Sequence, residues 1–492
     1  MATTTSIDLR VLNTRTLVDT LQDVENTGKA YMFIGRSFPW PNDTTPPTPV
    51  NSVDEYRQVF DDMIALKRLP YGSVVPMVPR INWNGGVVYD IYRPDYSSAN
   101  PAFSGAITLD TAKWITINRN RDVYICLDNK ENSVSTVEPL NTGDVPFYTS
   151  DGYQWLRLYS ITADELENRT TPSLIPVLEE DANDVVEITE GEIHTILIDN
   201  PGARYVAPPI DYWYCNVTGD GLNAVARVEV LDGQIVDIRM VRFGAQYTHA
   251  TLDFRAGYVY KSLNDLDTGR NGLDPQGDGT FQSTVIAGPP GGWGTDLVRE
   301  LVATNVGIFT EIDYNEQDFA EDITYRQIGV LKGVEAAPYL TVIENPETMN
   351  ATFAVELTTV NAEVIAYTPG EYIYQTVTID GVDRQAWGVV VGWSGLDEVN
   401  GVLTYIQDPR VVADENGGVY PFQGDNFIIG QTTGKIGRVV DLTGEQEDRL
   451  FQGGYSRPEV NKYTGDLIRL SNIQPIIRTP NQTENTVMII SY

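Results

Sequence analysis

Short runs in which Val, Ile, Thr and Tyr alternate with polar residues fill most of this chain, and Gly, Asn, Asp and Pro punctuate them. A period of two puts every second side chain on one face, so each run predicts a half-buried β-strand. The clearest runs are Ala112 to Asn118, Glu192 to Ile198, Ala224 to Val230, Gln234 to Val241, Tyr372 to Ile379 and Thr486 to Ser491. Asp232-Gly233, between two of these, predicts a tight hairpin turn. Helical spacing is rare. Asn13 to Asn26 places Leu17, Val18, Leu21 and Val24 on one face. Ser52 to Leu69 is the best-marked helix, with Ser52 as N-cap and Glu55 three residues on. Its stripe is Tyr56, Val59, Phe60, Met63 and Ile64, and Pro70 with Gly72 ends it. A third helix is expected over Thr295 to Asn305, with Leu297, Val298, Leu301 and Val302 inward. The pattern predicts a mainly β protein.

Two stretches are Gly/Asp-punctuated and strand-rich, one from about 201 to 281 and one from about 347 to 450. Each has the length of a small β module set into a larger domain. The expected organisation is a core domain with N-terminal helices over 1–200 and an inserted module over 201–284. A return to the core follows over 285–346, then a second inserted module over 347–450, with C-terminal strands completing the core over 451–492. The Pro-rich stretch from Pro39 to Pro49 reads as a stiff loop between well-marked elements.

Composition narrows the function classes. The chain has 492 residues, with 34 Lys+Arg against 68 Asp+Glu, a net charge of −34. The excess comes from scarce cations and not from long acidic runs. Such a surface repels a polyanion, so no nucleic-acid partner is expected. The 27 Tyr, 14 Phe and 8 Trp exclude a disordered acidic tail. No apolar run approaches the ~20 residues of a membrane helix, so no membrane partner is expected either. The start Met1-Ala2-Thr3-Thr4-Thr5 lacks a cationic region followed by an apolar one, so no signal peptide is expected. Cys126 and Cys215 cannot form a disulfide framework, and both fall in apolar strand-like runs as buried free thiols.

Candidate chemistry is thin. Only His194 and His249 are present, which disfavours His-based zinc sites and triads. His194 alternates with Ile193 and Thr195 in a strand and reads as a packing or surface histidine. Gly430-Gln431-Thr432-Thr433-Gly434-Lys435-Ile436 has phosphate-loop residues without the spacing, so a β-turn is expected there. Asp265, Asp267, Asp274 and Asp278 crowd a Gly-rich loop where a hard cation could sit, although Asp and Gly are also the usual turn formers. No pair of carboxylates stands out for glycoside hydrolysis, and no regular repeat of a β-helix enzyme is present. Trp114 and Trp155 are expected to be buried. No catalytic residue, metal or cofactor is expected.

Several strings acquire meaning together. Phe33-Ile34-Gly35-Arg36-Ser37-Phe38-Pro39-Trp40 follows the first helix, and Val75 to Trp83 (with Pro79, Arg80 and Trp83) follows the second. Val123 to Asp128 and Asp151-Gly152-Tyr153-Gln154-Trp155 come next, then Tyr325-Arg326-Gln327-Ile328-Gly329, Gly465-Asp466-Leu467-Ile468 and Pro475-Ile476-Ile477. In this order they resemble the baseplate wedge protein of contractile-tailed, T-even-like bacteriophages, the gene-product-eight family. The likeness covers roughly residues 10 to 180, returns near 322 to 331 and again from about 465 to 492. The chain is longer than that pattern, mainly through the two β modules.

The resemblance implies a non-enzymatic virion subunit with a layered β-sandwich core, short helices in loops and inserted small β modules. It implies a homodimer docked on other baseplate wedge proteins, with tail-fibre attachment proteins as further neighbours, made in the host cytoplasm and built into the tail baseplate. The motif residues it singles out are structural: Gly35, Arg36, Pro39, Trp40, Pro79, Arg80, Trp83, Asp151, Gly152, Tyr153, Trp155, Arg326, Gln327, Gly465 and Pro475. Gly35 is expected to supply an unusual backbone angle and Pro39 to stiffen the exit. Arg36 and Arg80 are expected to pair with carboxylates or stack on aromatics. The alternative is a tail adhesin whose inserted modules hold a cell-surface glycan on Trp387 or Trp393.

Overall fold

The computed structural model describes residues 6–22, 30–143, 145–178, 189–209, 211–314, 316, 318–339, 347–360, 366–397, 399–409, 419–446 and 449–492. Among these, twenty-nine strands and five helices form a mainly β fold. The chain divides into two compact units. One takes Met1–Leu17, Val75–Gly307 and Ile489–Tyr492; the other takes Val18–Val74 and Ile308–Met488. The divisions fall inside the 1–200, 285–346 and 451–492 stretches of the sequence reading.

In the first unit, strands Ile115–Ile117, Asp122–Asp128, Gln154–Ser160 and Phe147–Tyr148 form an antiparallel sheet. Its inner face packs Trp114, Ile125, Leu156 and Leu158 with Tyr92 and Trp293, whose rings meet at 4.7 Å. Trp114 and Trp155 are 1% and 0% exposed, as their apolar settings predict. Strand Ile193–Asn200 pairs with Gln282–Ala287, and between them the chain builds a separate sheet. That sheet centres on Trp213–Gly219, Val225–Leu231 and Gln234–Arg242, with its own core of Trp213, Cys215, Val228 and Ile238. Asp232 and Gly233 both have positive φ, 51° and 81°, which is the mirror-image turn a two-residue hairpin needs. Cys126 and Cys215 are buried free thiols.

In the second unit, a five-stranded sheet runs in the order Thr348–Asn350, Met63–Arg68, Ala30–Gly35, Ile323–Lys332, Asp466–Arg478. A second sheet includes Asn400–Ile406, Val382–Gly395, Tyr372–Ile379, Phe427–Gly430, Ile436–Val439 and Phe353–Thr359 in that order. Phe353–Thr359 also pairs with Asn400–Ile406, so these six strands close into a barrel. Closure leaves no free edge among them. Ile373, Val377, Val390, Leu403 and Ile428 fill its interior.

The helices depart from the sequence reading. Ser52 caps as expected, its hydroxyl accepting from the Glu55 N–H at 3.1 Å, but the helix covers only Val53–Asp62. Met63 turns extended, and Met63–Arg68 is taken into the sheet between two strands that both pair with it. A strand with ladders on both sides outweighs the few tenths of a kcal/mol by which helix propensity separates ordinary residues. The first helix begins earlier, at Ile7, and ends at Gln22; the end expected at Asn26 lies outside the described residues. The third is a single turn, Leu297–Glu300, because Asn305 already begins a strand. Two further short helices, Ala163–Asn168 and Leu263–Thr268, begin at Thr162 and Ser262, and the first has a complete capping box with Glu165.

Candidate functional site

The motif residues fall into two groups, one in each unit. In the second unit Gly35, Arg36, Trp40, Arg326 and Gln327 converge. Strand Ala30–Gly35 ends where the Arg36 N–H donates to the Asp62 carbonyl at 2.7 Å. Gly35 is needed for that close approach, since a Cβ would lie 3.2 Å from the same carbonyl oxygen. The positive φ expected at Gly35 belongs instead to Arg36, at 61°. This left-handed residue throws the guanidinium between the rings of Phe38 and Trp40, 4.0 and 3.8 Å from their centroids. Its Nη1 also reaches Asp62 Oδ2 at 3.1 Å. Arg36 thus does both things expected of it, pairing with a carboxylate and stacking on aromatics.

The loop beyond is fixed by a second arginine. Arg326 donates Nε and Nη2 to the two oxygens of Asp43, both at 2.9 Å, and Nη1 to the Ser37 carbonyl at 2.6 Å. The Trp40 N–H donates to Asp43 Oδ1 at 2.8 Å, and hydrogen bonding to Arg326 holds the Asp43 carboxyl below the usual carboxylate range. The Trp40 indole donates to the Ile473 carbonyl at 3.1 Å, and Gln327 Nε2 to Asn472 Oδ1 at 2.8 Å. Pro39 is exposed at the tip. An open recess of about 420 Å³ lies against Arg36, Phe38, Trp40, Pro47, Gln327 and Asn472. Gly465 has φ 81° and backs onto Lys332, whose carbonyl oxygen a Cβ would meet at 2.6 Å. Pro475 lies exposed in the outermost strand, at a register shift where it removes no ladder bond from an inner pair.

In the first unit the charge is used inward. Asp151 Oδ2 accepts from the N–H groups of Thr136 and Val137, at 2.7 and 2.9 Å, and from the Ser135 hydroxyl at 3.2 Å. Its Oδ1 accepts from the Thr149 hydroxyl at 2.5 Å. Burial pushes this carboxyl up, and the Thr149 and backbone bonds outweigh it, leaving a net lowering. Gly152, at φ 95°, completes the turn, and the Tyr153 ring stacks on Trp155 at 5.4 Å. The Trp83 indole donates to the Ser135 hydroxyl at 3.2 Å, tying the earlier string to the same loop. Pro79 pairs with Leu174. Arg80 neither pairs with a carboxylate nor stacks on a ring among the described residues. Its Nε donates to Asn82 Oδ1 and its Nη1 to the Thr171 carbonyl, because the neighbouring strand end offers it neutral acceptors.

The remaining candidates resolve into structural roles. The loop over Gly430–Lys435 is a turn, and it does cup an anion: the Glu371 carboxylate accepts from the N–H groups of Thr432 and Thr433 and from the Thr433 hydroxyl. Asp265 receives the Ser262 hydroxyl, Asp267 forks with Arg242 at 2.7 Å, and Asp274 and Asp278 accept from their own turns. No cluster of three or more metal-ligating side chains exists among the described residues. His194 is 3% exposed against the Phe243 ring, and burial lowers its pKa to about 4. Trp387 and Trp393 are half-buried beside Tyr374 and Tyr367, with ring centroids 5.2 and 5.6 Å apart. Among the described residues, no helix is long and apolar enough to cross a membrane.

Sequence reasoning missed Asp43, Asp62 and the fully buried Arg478. Arg478 donates to the carbonyls of Phe319 and Asp313 at 2.9 and 2.5 Å and lies 3.8 Å from Glu484, which accepts from the Tyr325 hydroxyl at 2.8 Å. Each joins partners far apart in the chain, and no local spacing marks them. Compared with models of known protein families the chain matches none, and among curated proteins it has no significant match.

Proposed function

We propose that the chain is a structural subunit of a contractile phage tail baseplate wedge. It acts through protein–protein contacts and supports the rearrangement that triggers sheath contraction. One observation carries this reading. The strings around Gly35–Trp40, Tyr325–Gly329 and Gly465–Pro475, distant in sequence, occupy three adjacent strands of one sheet and the loop bracing it. Motif residues gathered this way brace backbone, which suits a rigid joint. Partners under this reading are a second copy of the chain, other wedge proteins and tail-fibre attachment proteins, with no nucleic acid, membrane or cofactor. An electron-microscopy map of an intact tail is the direct test. Density for the chain in the baseplate supports the proposal, and density in the collar, sheath or capsid overturns it. Sedimentation at micromolar concentration is expected to give a dimer.

A further inference from the structure

Among the described residues, strand Asp466–Arg478 ends the five-stranded sheet and pairs on one side only, with Ile323–Lys332. Sheet edges present unpaired N–H and C=O groups that proteins usually cover. Here the middle of the edge, Asn472–Gln474, is covered. Pro47, Trp40 and Thr44 of the proline-rich loop bond to Asn472, Ile473 and Gln474, at 2.9, 3.1 and 3.0 Å. The preceding stretch, Gly465–Leu470, forms one wall of a groove of about 480 Å³ whose facing wall is Pro49, Val50, Glu55 and Tyr56, and the Tyr56 hydroxyl donates to the Gly465 carbonyl at 2.7 Å, leaving 466–470 open. Leu331 opposes Leu467 while Val330 opposes Arg469, so Ile468 is a bulged residue outside the inner ladder.

We propose that this open stretch of edge accepts an extended, cationic strand of a partner protein by β-strand addition. The proposal rests on the reading of the chain as an assembly subunit and names the kind of contact. Five strand residues span roughly 17 Å, enough to pair one short segment. Val50 and Tyr56 offer apolar contact to alternate side chains. Glu55 and Asp466 outnumber Arg469 on the groove walls and have no ion pair among the described residues, so cations on the incoming strand would complete them. A second copy brings the same charge of −34 and suits the groove less.

The test uses the full chain and the capped peptide Val-Lys-Val-Lys-Val-Lys at about 0.15 M salt. Hydrogen exchange at 466–470 is expected to slow about tenfold with this peptide. It should not slow with Val-Lys-Pro-Lys-Val-Lys, which has the same charge but cannot ladder, nor with Val-Glu-Val-Glu-Val-Glu. Ile468→Pro should abolish the effect, and Glu55→Lys, on the helix surface, should weaken peptide affinity about tenfold without touching the edge backbone. Equal slowing by the proline peptide, slowing by the acidic one, or no slowing at all overturns the proposal. So does slowing that grows with protein concentration without peptide, which would make the occupant a second copy. Edge slowing in a protein found outside the baseplate removes only the wedge reading. A baseplate position without edge slowing removes only strand addition.

Discussion

Asp151 and Arg36 occupy strings of the same character, each a charge beside glycine and aromatics, and they spend that charge differently. The Asp151 carboxylate replaces its water with hydroxyls and backbone N–H groups aimed at both oxygens. Those bonds are directional and charge-assisted, so the loop over 133–137 has one arrangement. The Arg36 guanidinium packs on two ring faces and meets the Asp62 carboxylate beside an open recess. Ring faces attract a cation without the directionality of a hydrogen bond. A charged motif residue can therefore be fixed by directional hydrogen bonds or packed on ring faces, and the chemistry of its partners distinguishes the two.

The comparison breaks most visibly at Asp151. Asp151→Ala leaves the Thr136 and Val137 N–H groups without their acceptor and should cost roughly 4 kcal/mol, read from urea unfolding. If Arg36→Ala costs as much, the proposed contrast is wrong.

Next come two buried groups of the first unit whose pH dependences oppose each other. His194 titrates at about 4 in the fold against 6.5 unfolded, because burial disfavours its charge. As pH falls below 6.5 the unfolded chain takes the proton first, so the stability present above 6.5 is lost progressively toward pH 4, by about 3 kcal/mol. Glu300, buried and accepting from the N–H groups of Gly294 and Asp296 at 2.6 Å, is pushed up to about 7 by burial. Its contribution is full below 4.5 and is lost as pH rises through 7. The wild type should therefore be nearly flat between pH 4.5 and 6.5. Glu300→Gln should expose the rising histidine limb in thermal melts across pH. His194→Leu should expose the falling one, and two flat profiles would refute both assignments.

Smaller effects sharpen the arginine side. Arg326→Lys loses the two-pronged contact with Asp43 and should cost about 2 kcal/mol, while Asp43 stays partly solvated. Arg36→Gln removes the cation between the rings at about 1 kcal/mol, and Trp40 fluorescence should report the loosened loop before global unfolding.

Legibility followed the range of the interaction. The Ser52 cap, the Asp232-Gly233 turn and strand Tyr372–Ile379 were readable because each depends on a few neighbouring residues. The capping box at Thr162 and Glu165 follows the same local rule. The helix predicted to run through Leu69 failed because strands Ala30–Gly35 and Thr348–Asn350 claim Met63–Arg68 from either side. Arg326 could be singled out, and so could the Pro-rich loop that holds Asp43, yet the two lie 283 residues apart and no local pattern pairs them.

Alternation, turn chemistry and the shortage of cations by themselves determined a mainly β, strongly acidic chain, since those are sums over local choices. Tertiary structure alone decided which strands became neighbours and where the two units divide. It closed six strands into a barrel and left 466–470 open beside Glu55. Pairing and coverage depend on loops closing over long stretches of chain, and that entropy is repaid only when distant surfaces meet.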